Sequence, residues 1–186
     1  MSDPAATMLF TAVLIGVVSL TGATRAVGAW WRFRGTRLVT CPETEAVAAV
    51  TVDTTGAAFT ALFGGPRLRL DACSRWPSRR FCGQQCLAQI KAAPDDGRVD
   101  AIARRWFGSK TCVYCRRAIT ETRPVAYPPA LLAPDGSTVE WPDLAPERLP
   151  EAFRTCGPVC WSCHVSETFR RVHPELVTDR TDAGRL

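Results

Sequence analysis

Histidine is nearly absent from this chain. Only His164 and His173 occur among 186 residues, and a catalytic zinc with three protein ligands and an open position is hard to assemble from two. The sequence also lacks a Gly-rich phosphate loop and a G-x-S-x-G turn, so neither P-loop chemistry nor a nucleophile elbow is expected. No acidic pair has a site around it. Glu140, Asp143, Glu147 and Glu151 read as solvated surface. No internal repeat is present beyond a loose recurrence of cysteine pairs. The expectation is a protein that acts by binding and is not an enzyme.

Charge is missing from one long stretch. Residues 5–24, AATMLFTAVLIGVVSLTGAT, carry none. As a helix, 20 residues span about 30 Å, the thickness of a bilayer core. Trp30 and Trp31 follow where an interfacial aromatic belt would lie, and Arg25 is placed to snorkel. A cleaved signal peptide fits less well, because no positive n-region leads the run and Thr24-Arg25-Ala26 is a poor cleavage site. A buried core helix is rarely so long. Before the run stands one acid, Asp3, and no Lys or Arg; after it come Arg25, Arg32, Arg34 and Arg37 with no acid among them. The positive-inside rule then places the rest of the chain in the cytoplasm, as a single-pass protein of the cell membrane. The net charge of +5 owes much to this cluster. It reads as a topology signal with anionic-lipid contact, and no nucleic-acid partner is expected.

The cysteines do not come in an even number: there are nine. An odd count fits a disulfide framework poorly. In a reducing cytoplasm, grouped cysteines point to metal ligands or redox thiols. A redox C-x-x-C usually lies within a thioredoxin-like β-α-β pattern, and none surrounds these pairs. Cys82 and Cys86 are four apart, Cys112 and Cys115 form C-x-x-C, and Cys156, Cys160 and Cys163 form C-x3-C-x2-C followed at once by His164. Cys41 and Cys73 stand alone. The soluble part has a modest apolar core, which in a short chain usually needs a staple.

Local patterns organise the rest. Val47, Val50 and Val52 favour strand within 38–53, with Cys41-Pro42 on a turn. Residues 54–66 are a small-residue stretch ending in the turn signal Gly64-Gly65-Pro66. Leu68 and Leu70 alternate with arginines in a short strand running into Cys73. Cys86, Leu87 and Ile90 have helical spacing in 83–92, and Val99, Ile102 and Trp106 are expected on one face of the next helix. Trp76 and Trp106 read as core residues. ALLAPDGSTVEW reads as two strands around a Pro-Asp-Gly turn, in a proline-rich region. A last helix starting near Cys163 is expected to turn Val165, Phe169 and Val172 inward and Arg170 and Arg171 outward, with Pro174 ending it.

Structural zinc takes four ligands in a tetrahedron, and a C-x-x-C turn supplies two. Cys112 and Cys115 with Cys160 and Cys163 form the first candidate site, with Cys156 and His164 as possible alternative ligands. Cys41, Cys73, Cys82 and Cys86 form a second, with irregular spacings; a small buried apolar residue is the competing role of each lone cysteine. CVYCRRAI at 112–119 and CWSCHVSETFRR at 160–171 resemble the knuckle and the helix start of the treble-clef group of zinc domains. The resemblance covers residues 112–171 and implies a fold type, a pair on a knuckle, a hairpin and a second pair opening a helix; it implies no activity.

The expected architecture is α+β: one N-terminal transmembrane helix (5–24), a basic juxtamembrane segment (25–37), a cysteine-containing α+β subdomain (38–107), a treble-clef-like zinc subdomain (108–175) and a polar tail (176–186). The expected function is a zinc protein with one or two ions, acting as an accessory or docking module. Its partners would be the lipid bilayer and a protein of a membrane complex. The alternative is electron transfer. Cys160-Trp161-Ser162-Cys163-His164 is a literal c-type haem attachment sequence, and four thiolates also suit an iron–sulfur cluster. Haem attachment belongs to the outer side of the membrane, which the arginines argue against, and haem leaves Cys112 and Cys115 unexplained. The C-x3-C-x2-C spacing also occurs in radical-SAM enzymes, but the residues after Cys163 are too few for their barrel.

Overall fold

The computed structural model describes residues 4–76, 82–120 and 126–177. The chain divides into two compact units, 1–99 and 100–186, so the helix after Gly97 falls almost wholly in the second.

The first unit opens with α1 (Pro4–Phe33). Met8–Phe33 is long and apolar enough to cross a membrane or to serve as a signal sequence. From Met8 to Leu20 its large apolar side chains are exposed, Met8 at 74% and Ile15 at 64%, so it is not a core helix of this unit. Further along, Ala29 and Phe33 are buried in the unit's core. Arg34 lays its guanidinium 3.4 Å from the centroid of the Trp31 ring at the helix end.

Arg37, grouped with the surface arginines by sequence, is 1% exposed. Its guanidinium donates to the carbonyls of Arg32, Phe33, Arg34 and Gly35 and to Pro94 O. The last carbonyls of a helix have no partner within it, and its C-terminal end attracts a cation. Arg37 meets both needs, so it is a structural cap and not a lipid-facing charge.

From Arg37 the chain enters an antiparallel sheet of order β1-β2-β3: β1 (Arg37–Thr40), β2 (Val47–Val52) and β3 (Leu70–Cys73). Arg37 pairs with Val50 and Val50 with Cys73, with an irregularity between Thr51 and Val52. Between β2 and β3 lies α2 (Thr54–Phe63), where sequence suggested only a small-residue stretch. Asp53 starts it by accepting from Gly56 N at 2.8 Å, a standard N-cap. Ala57 and Ala61 are buried, and Gly22 of α1 sits against the Leu62 backbone. Small residues on both helices let their backbones approach closely. Phe59 and Phe63 on the other side of α2 are 63% and 82% exposed. The short α3 (Leu87–Ala92) buries Ile90 in the core with Val50, Val52 and Leu70. Each fully buried aliphatic chain of this kind contributes about 1.5–3 kcal/mol. Trp76 packs, partly buried, against this core, as expected.

The second unit holds α4 (Val99–Gly108). Its buried positions are Val99, Ala103 and Phe107, so the inward face is rotated from the expected Val99, Ile102 and Trp106. Trp106 is half-buried and stacks on Phe153 with centroids 4.5 Å apart. The expected hairpin is present as β4 (Ala130–Leu132) and β5 (Thr138–Glu140). Gly136 takes φ +81 in its turn, and Ser137 N donates to Asp135 at 2.8 Å. Then α5 (Leu149–Thr155) leads to β6 (Gly157–Val159), which completes a sheet of order β5-β4-β6. The last helix, α6 (Trp161–Val172), follows at once. Pro174 lies beyond it, as read. Its apolar stripe is not inward, however: Val165, Phe169 and Val172 are 43%, 47% and 61% exposed. The spacing was amphipathic, but among the described residues little packs over that face. Pro124 and the tail after Val177 lie outside the described residues.

Candidate metal centre

Cys112 and Cys115 sit on a tight turn. Thr111 and Ala118 bridge across it, Cys112 N donates to Arg117 O at 2.9 Å, and Arg116 N to Cys112 O at 3.0 Å. Arg116 closes the turn at φ +60, a conformation that costs a non-glycine residue energy and is held by the surrounding bonds. The turn is clamped to β6 by Val113 N donating to Pro158 O at 3.0 Å. Gly157 eases this approach, since a Cβ there would stand 3.0 Å from Val113 Cγ1 and press it aside. β6 then delivers Cys160 to the start of α6, and the first turn of that helix carries Cys163.

The four sulfurs of Cys112, Cys115, Cys160 and Cys163 all lie within 4.8 Å of one another, with Cys115 and Cys160 at 3.7 Å. Thiolates about 2.3 Å from one central ion in a tetrahedron stand about 3.8 Å apart. The donor set therefore fits a metal ion. Burial alone would push the Cys112 thiol up, but backbone N–H groups of Cys115, Cys160 and Tyr114 point at its sulfur and hold it at about 6. Cys160 is raised, by burial first and then by proton sharing with Cys112 and Cys115. Cys163 is raised for the same two reasons, burial before the shared protons of Cys160, Cys112 and Cys115. One thiolate and its protonated neighbours crowd together, the arrangement a cation relieves by displacing the protons.

The two alternative ligands lie outside this group. Cys156 ends α5, with its sulfur 3.7 Å from Thr155 Oγ1. His164 is directed at β5: Nδ1 is 2.9 Å from Thr138 Oγ1 and Nε2 is 3.5 Å from Glu140. Glu140 therefore takes part in an ion-pair geometry that its reading as plain surface missed.

The other four cysteines occupy the first unit. Cys41, Cys73, Cys82 and Cys86 line one hollow, but among the described residues only the C-terminal four are gathered to mutual ligand distance. Burial pushes the Cys86 thiol up, and charge at Cys82, Cys73 and Cys41 adds to it. Comparison with protein-family profiles, characterised proteins and solved structures finds no match to this chain.

Proposed function

We propose that this is a membrane-anchored zinc protein that serves as an accessory or docking module, with its cysteine-bearing part in the cytoplasm. The observation that carries the reading is the set of four sulfurs at single-ion spacing. Thiolates bound to separate irons of a cluster would have to stand further apart than four on one ion, so four sulfurs all within 4.8 Å of one another support a mononuclear site. Four thiolates also close the coordination sphere, which suits a structural ion. A knuckle, a hairpin and a pair opening a helix support the treble-clef reading of 112–171. Both ring nitrogens of His164 face Thr138 and Glu140, which favours zinc over haem.

Two exposed apolar surfaces suit the anchoring and docking roles. Phe59 and Phe63 lie on α2, which packs against α1, and extend the apolar surface a bilayer would cover. On α6, Val165, Phe169 and Val172 offer a protein partner an amphipathic helix face. The test is a pair of C-terminal fusions combined with metal analysis of detergent-extracted protein. Fluorescence without alkaline phosphatase activity, together with bound zinc, is expected. Phosphatase activity would overturn the topology, and iron in place of zinc would overturn the module's chemistry.

A further inference from the structure

We infer that Cys41, Cys73, Cys82 and Cys86 form a second zinc site within the first unit, sharing no residue with the centre at Cys112. All four cysteines line one hollow of about 20 Å³, room for roughly one water-sized sphere or one bare ion.

The backbone around Cys41 repeats two hydrogen bonds of the knuckle at Cys112. Cys41 N donates to Ala46 O at 2.9 Å, and Glu45 N to Cys41 O at 2.8 Å. Cys112 N donates to Arg117 O and Arg116 N to Cys112 O in the same register. Glu45 and Arg116 close the two turns at φ +53 and +60. Thr44 stands where the second knuckle has Cys115. Its buried hydroxyl is directed at the Cys41 sulfur. The replaced ligand comes from elsewhere. Cys73 enters from the end of β3, and Cys82 lies on a second turn, where Gln84 at φ +54 donates its N–H to the Cys82 sulfur at 3.4 Å. Cys86 completes the set immediately before α3.

Apolar burial alone does not explain this arrangement, because Cys41, Cys73 and Cys82 are only half-buried. On binding, Zn²⁺ takes the places of the thiol protons, which pass to solvent, and no electrons move. The four sulfurs then draw in to ligand distance around the ion, closing the hollow.

The experiment uses full-length protein in detergent and counts zinc per chain by mass spectrometry in the wild type, Cys41→Ser, Cys82→Ser and Cys160→Ser. Iodoacetamide labelling with and without chelator is followed on each cysteine. Two zinc ions are expected in the wild type and one in each variant. In Cys160→Ser, Cys41, Cys73 and Cys82 should stay protected until chelator is added. One zinc in the wild type that Cys82→Ser loses and Cys160→Ser keeps would support this site and sink the C-terminal one. One zinc that only Cys160→Ser loses, with chelator-independent labelling of Cys41, Cys73 and Cys82, would overturn the inference. A disulfide among the four, or a wild type without zinc, would do the same.

Discussion

Replacing Cys112 by serine removes a ligand that is fully buried and holds the most acidic thiol of its group. Structural zinc contributes on the order of 10–16 kcal/mol that is also folding energy. A quarter of that is roughly 3–4 kcal/mol per ligand by even division. The backbone N–H groups of Cys115, Cys160 and Tyr114 would also lose their thiolate acceptor, at about 1–3 kcal/mol for a buried donor left unmade. A total of roughly 4–7 kcal/mol rivals the 5–15 kcal/mol that stabilises a whole small domain. Cys112→Ser should therefore lose the zinc of its own centre and expose the second unit to protease. Cys156→Ser, whose sulfur lies beside the Thr155 hydroxyl at 3.7 Å and outside the four-sulfur group, should keep its metal and change stability by less than about 1 kcal/mol. Limited proteolysis and bound-metal counts on the two variants decide. Metal lost from the Cys156 variant but kept in the Cys112 variant would mean the wrong ligands are assigned, and equal tolerance of both would remove the metal site itself.

Other outcomes follow from the same geometry. His164→Ala should retain full metal content, because its ring faces Thr138 and Glu140; loss of metal in that variant would restore it as a ligand. In Cys82→Ser, which leaves the C-terminal centre alone to load, metal uptake at pH 7 should release at least two protons, from the raised thiols of Cys160 and Cys163, but not four, since Cys112 is already ionised above about 6. Zinc competes with protons, so affinity should rise with pH, and fall more steeply once pH drops below about 6 and Cys112 also binds a proton. Calorimetry in buffers of different ionisation enthalpy reads the count. Arg37→Lys should not rescue Arg37→Ala in thermal melts, since one ammonium cannot reach carbonyls spread from Arg32 to Gly35 and Pro94. The alanine variant should lose on the order of 2–4 kcal/mol by leaving several carbonyls unpaired.

What sequence revealed of this protein depended on how local each signal was. The C-terminal cysteine cluster was legible because a knuckle and a helix start impose C-x-x-C spacing on each pair, whatever lies between. The hairpin at 130–140 was legible through Pro134-Asp135-Gly136 and the strand residues beside it. α2 was not. Its buried face is Ala57 and Ala61 and its exposed face is Phe59 and Phe63, so no polar side marks a helical period. The signal available was Asp53 three residues before Gly56, an N-cap. The faces of α4 and α6 were misjudged for a related reason: periodicity shows that a stripe exists, but not which neighbour covers it. The knuckle at Cys41 was hidden because Thr44 replaces its second cysteine, and only backbone bonds display the repeat. The role of Arg37 was equally invisible, since its partners are carbonyls, which leave no trace in residue type.

The central claim is a mononuclear, all-thiolate zinc site, and metal-edge X-ray absorption of purified full-length protein tests it most directly. The account predicts a zinc edge with four sulfur neighbours at about 2.3 Å and no metal–metal shell. An iron edge with an iron–iron shell, or zinc with nitrogen or oxygen in its first coordination sphere, would contradict it.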